Sequence, residues 1–121
     1  MILVAVDDFL FRSKIRATAK QAEVEVTFAK SAEEIVETVR SRAPSLVIFD
    51  LNSASLDPIG AIATLKDDPA LASTRTLGFV SHVDAARIQA ARAAGADEVM
   101  ARSAFAANLA AILLTDRTPQ P

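Results

Sequence analysis

The chain has 121 residues, of which 51% are hydrophobic and 23% charged, and its formal net charge is -2. These values fit one globular domain that buries roughly two thirds of its unfolded surface without a covalent staple, and they supply no cationic field for nucleic acid. With no cysteine, disulfides, thiolate metal sites and cysteine nucleophiles are excluded together, which suits a cytoplasmic protein; no apolar run approaches the roughly 20 residues of a membrane span, and no basic segment precedes the first run as in a signal peptide.

In chain order, strand-like runs alternate with helical patterns. Ile2–Val6 is a continuous apolar run that ends on Asp7 and Asp8. Phe11, Ile15, Ala19 and Ala22 then recur at helical spacing, with Arg12, Lys14, Arg16 and Lys20 elsewhere on the cylinder, a solvated basic face. Val24–Phe28 alternates polar and apolar, the pattern of an edge strand with one wet side. Ser31 followed by Glu34 has capping-box spacing, and Ile35, Val36 and Val39 continue it as an apolar stripe. Leu46–Phe49 is the second continuous apolar run, and it ends on Asp50.

Pro58 marks the start of a third helix carrying Ile59, Ile62 and Leu65 inward. Leu77–Val80 is a third buried run. A fourth helix is expected from Val83 to Ala94, stopped by Gly95. A weaker strand, Glu98–Met100, leads to a fifth helix opening near Ser103 with Phe105, Leu109, Ile112 and Leu113 on one face. Residues 118–121 read as a tail after a single domain over 1–117.

Five β-α repeats imply a parallel sheet covered on both faces. An edge position for strand 2 and buried positions for strands 1, 3 and 4 give the order 2-1-3-4-5, a flavodoxin-like (βα)5 doubly wound α/β fold. Its ligand crevice lies outside the carboxyl ends of strands 1 and 3. Asp7, Asp8 and Asp50 sit at those ends. Burying unpaired acid is costly, so the trio is expected to bind a cation or to hold one carboxylate ready to react.

Four pieces of the chain, Val6-Asp7-Asp8-Phe9, Phe49-Asp50-Leu51-Asn52, Gly78-Phe79-Val80-Ser81 and Gly95-Ala96-Asp97-Glu98, stand in an order and spacing that resemble the receiver domain of two-component response regulators. The resemblance implies a phosphorelay protein. Asp50 would be the phosphoacceptor, fed by a sensor histidine kinase or phosphotransfer protein. Asp7, Asp8 and Asp50, with the backbone carbonyl of Asn52, would hold Mg2+. Ser81 would contact the phosphoryl group. Arg102 would take the place of the family's lysine. The signal would pass to a downstream protein target or output domain. The only enzymatic property implied is magnesium-dependent self-phosphorylation and dephosphorylation at Asp50.

The chain departs from the family pattern at Arg102, which no proline follows; at Ser53-Ala54, in place of Met-Pro; and at Val99, where a switching aromatic is usual. These departures motivate the alternative of a phosphorylation-independent pseudo-receiver that acts as a protein-interaction module. His82, the only histidine, is expected to face the loop without a catalytic task. Ala90, Ala94, Ala107 and Ala111 leave helices 4 and 5 slim enough to pack on a second copy as a homodimer. Neither nucleic acid nor membrane is an expected partner.

Overall fold

In the computed structural model, residues 1–81 and 84–117 are described. Five strands, β1 (Ile2–Ala5), β2 (Val26–Phe28), β3 (Leu46–Asp50), β4 (Arg75–Val80) and β5 (Glu98–Ala101), form one sheet in the order β2-β1-β3-β4-β5. Every neighbouring pair is parallel, so the topology read from the periodicity is the one observed. The helices are α1 (Phe9–Ala22), α2 (Ala32–Arg42), α3 (Pro58–Asp67), α4 (Ala85–Ala94), α5 (Arg102–Ala107) and α6 (Leu109–Leu114), followed by a 3-10 turn at Thr115–Arg117.

Alternate side chains of each strand point to opposite faces, and two cores result. Ile2, Val4, Ile48, Leu77 and Phe79 pack with Phe11 and Ile15 of α1 and with Phe105, Leu109 and Leu113 of α5 and α6. Leu3, Ala5, Val47 and Phe49 pack with Ile35 and Val39 of α2, Ile62 and Leu65 of α3, and Ala91 of α4. Strands β1 and β3 are buried at every residue, whereas all three residues of β2 are half-buried, as an edge strand should be.

Local boundaries differ from the periodicity in three instructive places. Strand β2 starts at Val26 because Glu23 caps α1 in the left-handed conformation (φ 58°), and the next residue, Val24, spends its N–H on Ala19 O. Helix α4 starts at Ala85, with Asp84 as its cap; the expected start at Val83, like His82 and residues 118–121, lies outside the described residues. The expected single fifth helix is two. Asn108 interrupts it (φ -109°, ψ 14°) and turns its side-chain Nδ2 back onto Ala104 O at 2.8 Å.

Candidate functional site

The acids gather because two adjacent parallel strands end together. Strand β1 pairs with β3 in a register that sets Ala5 beside Phe49, so Asp7 and Asp8 follow one strand at the same edge where Asp50 closes the other. Asp50 is the last residue of β3 and pairs with Phe79 of β4. Only 7% of its surface is exposed, which makes it the one buried acid of the trio.

Each carboxylate is held differently. Asp50 Oδ1 accepts the N–H of Asn52 at 2.9 Å. Asp7 Oδ2 accepts two hydroxyls, Ser53 Oγ at 2.8 Å and Ser55 Oγ at 2.7 Å. Asp8 caps α1 by accepting Phe11 N–H at 3.0 Å and takes Arg102 Nη2 at 3.3 Å on its other oxygen. The Arg102 guanidinium lies over the Phe11 ring, 4.4 Å from its centre, a cation–π arrangement that fixes the planar group.

These surroundings push the acids apart electrostatically. Burial raises the Asp50 carboxyl above the ordinary carboxylate range; the Asn52 N–H and the Arg102 charge oppose the rise, while the charges of Asp7 and Asp8 add to it. Asp8 is lowered, chiefly by the Phe11 N–H and further by Arg102, against a smaller burial cost. Of the trio, Asp50 is the acid whose charged form the fold disfavours.

The residues around Asp50 form a braced loop. Leu51 extends the sheet with its N–H on Phe79 O at 2.9 Å, and its side chain fills the space at Gly78, where an added Cβ would come within 2.8 Å of Leu51 Cδ1. Asn52 Oδ1 accepts Ser81 N–H at 2.8 Å, tying the end of β4 to this loop. Ser53 Oγ, besides donating to Asp7, accepts Leu56 N–H at 3.2 Å. Ser81 and Arg102 also line a groove of about 750 Å³ that continues to Val80, Ile88, Val99 and Met100.

The donor chemistry suits a hard cation. The site offers carboxylate and carbonyl oxygens, and the charge raising Asp50 is of the sign that a dication would neutralise. Among the described residues, no three His, Cys, Asp or Glu side chains form a group that could hold a metal ion by themselves. Three contributors were not singled out from the sequence: Ser55, the Asn52 side chain and Arg87, whose Nη1 donates to Leu51 O at 2.8 Å. The Ser53-Ala54-Ser55 spacing is a local signal for paired hydroxyls. Nothing local to Arg87 points to Leu51; the fold alone joins them.

The parallel sheet in the order β2-β1-β3-β4-β5, with helices on both faces, defines the class as a flavodoxin-like α/β fold. The sequence matches the response regulator receiver domain family over residues 2–113, and the chain belongs to that family. Its structure is similar to that of the phosphorylated cyanobacterial phytochrome response regulator RcpA, with a TM-score of 0.82 at 17% identity over 99% of this chain and 95% of that one. It is also similar to a response regulator from Hahella chejuensis (TM-score 0.83, 19% identity, 97% of this chain and 94% of that one). A third similar structure is a response regulator in its Mn(2+)-bound form (TM-score 0.80, 13% identity, 98% of this chain and 96% of that one). No curated protein matches the sequence. Among the described residues, no helix is long and apolar enough to cross a membrane.

Proposed function

We propose that this receiver domain accepts a phosphoryl group on Asp50 from the phosphohistidine of a partner kinase or phosphotransfer protein, and signals through altered protein contacts. The observation that carries the reading is the state of Asp50: a nearly buried carboxylate, one oxygen fixed by Asn52 N–H, beside the acids that follow the neighbouring strand. A carboxylate poorly solvated in this way is a stronger nucleophile than one in water. Oδ2 is the oxygen left for attack: it forms the new P–O bond as the P–N bond breaks, and the imidazole departs with the bonding pair.

Phosphoryl transfer depends on positioning and charge neutralisation more than on covalent help. A magnesium ion, when bound, supplies that neutralisation between the carboxylate and the incoming phosphoryl oxygens. Asp7, Asp8, Asp50 and the Asn52 carbonyl are the residues that would hold it. Magnesium keeps several waters and takes one or two carboxylates plus phosphate oxygens, so it does not require an all-protein cage. One relative of this fold is manganese-bound and another is phosphorylated, which supports the same chemistry here. The two serines on Asp7 orient it. Arg102 supplies a cation near Asp50, and Ser81, which follows β4, would offer its hydroxyl to the phosphoryl group. The groove running from Ser81 to Val99 offers the surface on which a change at Asp50 would be read.

The test is beryllofluoride, a phosphoryl mimic, added with magnesium and followed by amide NMR. The expected result is a shift at Asp50, Ser81 and Arg102 that Asp50→Asn abolishes. An unshifted site would overturn the proposal in favour of a phosphorylation-independent interaction module.

A further inference from the structure

The peptide unit joining Leu51 to Asn52 has both ends engaged. Its N–H belongs to Asn52 and donates to Asp50 Oδ1 at 2.9 Å. Its carbonyl belongs to Leu51 and accepts Arg87 Nη1 at 2.8 Å. No cis peptide bond occurs among the described residues, and a trans unit is planar with N–H and C=O pointing in opposite directions. This rigid plate therefore lies between the carboxylate and the guanidinium, with Asp50 on one side and Arg87 of α4 on the other.

The plate has little freedom except to tilt. On the N-terminal side, Leu51 N–H is fixed to Phe79 O and the Leu51 side chain is seated against the backbone at Gly78. On the far side, Asn52 Oδ1 holds Ser81 N–H. Arg87 is held at its backbone and by ion pairing with Asp84, while its buried Nε has no hydrogen-bond partner among the described residues. Its backbone N–H donates to the capping carboxylate of Asp84 at 3.1 Å, and its Nε lies 3.5 Å from the other Asp84 oxygen. The first turn of α4 is thus joined through one charged side chain to the peptide that follows Asp50.

We propose that Arg87 is a positioning residue that transmits the state of Asp50 to α4 through the Leu51–Asn52 peptide. The bond from Asn52 N–H to Asp50 Oδ1 and the bond from Arg87 to Leu51 O share one planar peptide, so each polarises and orients the other, because hydrogen bonds in a chain strengthen one another. Any event that changes the demand of Oδ1 weakens or tilts this plate and loosens Arg87 from it. The start of α4 then moves without touching the acceptor. Such a link matters in this chain because Val99 provides no aromatic side chain to report on the site. The inference deepens the reading of Asp50 as acceptor and rests on it for its biological use, but the coupling itself is a property of the apo protein.

The test is a mutant cycle in the full chain, read by the amide shifts of Ala85–Ala94. Asp50→Asn is introduced beside Arg87, Arg87→Lys and Arg87→Met. The expected response of α4 to Asp50→Asn is largest with Arg87 and intermediate with Lys, which restores one charged donor without the fork. With Met it falls to about half or less, as expected for a coupled network. The Lys comparison stands alone if Arg87→Met does not fold. An equal response in every background, or none beside Arg87, overturns the coupling and leaves Arg87 a static brace. A beryllofluoride arm on the wild-type chain separates the two claims: silence at Asp50 there overturns the acceptor reading, while the cycle still decides the role of Arg87.

Discussion

The burial of Asp50 sets the sign of its pH dependence. Burial, with Asp7 and Asp8, raises its carboxyl above the unfolded value. The folded chain therefore holds this proton to higher pH than the unfolded chain does. Stability from this group is complete below the unfolded value and is lost as pH rises through the folded one. At neutral pH without divalent metal, Asp50→Asn should stabilise the domain by on the order of 1 kcal/mol, and urea titrations across the acid range should lose that descent. A variant no more stable than the parent would contradict the assignment. Asp8 behaves oppositely: lowered by Phe11 N–H and Arg102, it adds stability that is lost as pH falls.

At this scale the acids were legible because each follows an apolar run, where an unpaired charge demands an explanation. Their partners were not. The two hydroxyls on Asp7 and the Arg87 bond to Leu51 O join residues 46, 48 and 36 positions apart in sequence, and no local spacing encodes them. Arg102 was legible as a cation near the site, but its engagement with Asp8 and the Phe11 ring depends on how α1 and α5 meet.

The elements follow local chemistry, and where they depart from it the cause is equally local. Ser31 caps α2 through Glu34 N–H at 3.1 Å, as its spacing requires. Asp57 caps α3 ahead of Pro58. Gly95 ends α4 at φ 109°, where a Cβ would meet Lys66 Cγ at 2.8 Å. Helix α2 has no such glycine. Ala43 takes the left-handed cap at φ 45°, which costs a side chain with a Cβ roughly 1–2 kcal/mol. Ala43→Gly should therefore raise stability by about 0.5–1 kcal/mol, after the extra entropy glycine gives the unfolded chain. Chemical denaturation checks this, and a loss of stability would show that the cap is not strained. The break between α5 and α6 escaped the periodicity because Phe105, Leu109 and Leu113 keep helical spacing across it; at the break the Asn108 side chain shares Ala104 O with the Asn108 backbone N–H.

For the molecule as a whole, the two cores are tied together through the sheet, and the aromatic side chains concentrate the α1 side. Phe79 of β4 stacks on Phe105 of α5 at 4.7 Å between ring centres, and Phe11 of α1 meets both edge-on at 5.2 and 5.7 Å. Arg102 lies over the Phe11 ring of this trio, which joins α1 and α5 to β4 on one face of the sheet. Phe105→Ala should cost about 3–5 kcal/mol in urea unfolding, and a cost below 1 kcal/mol would mean that α5 is not part of the cooperative core.

What the sequence determined by itself is the architecture and the place of the acids. Continuous apolar runs alternating with amphipathic stripes admit a parallel, doubly covered sheet, and its switch point falls where Asp7, Asp8 and Asp50 stand. Tertiary structure alone decided which carboxylate is buried, which oxygens are already engaged, and that a single peptide plate stands between Asp50 and Arg87. The physical reason is range. Periodicity and capping act over a few residues and are written locally. The electrostatics of a site arise from groups tens of residues apart, which meet only when the strands are in register.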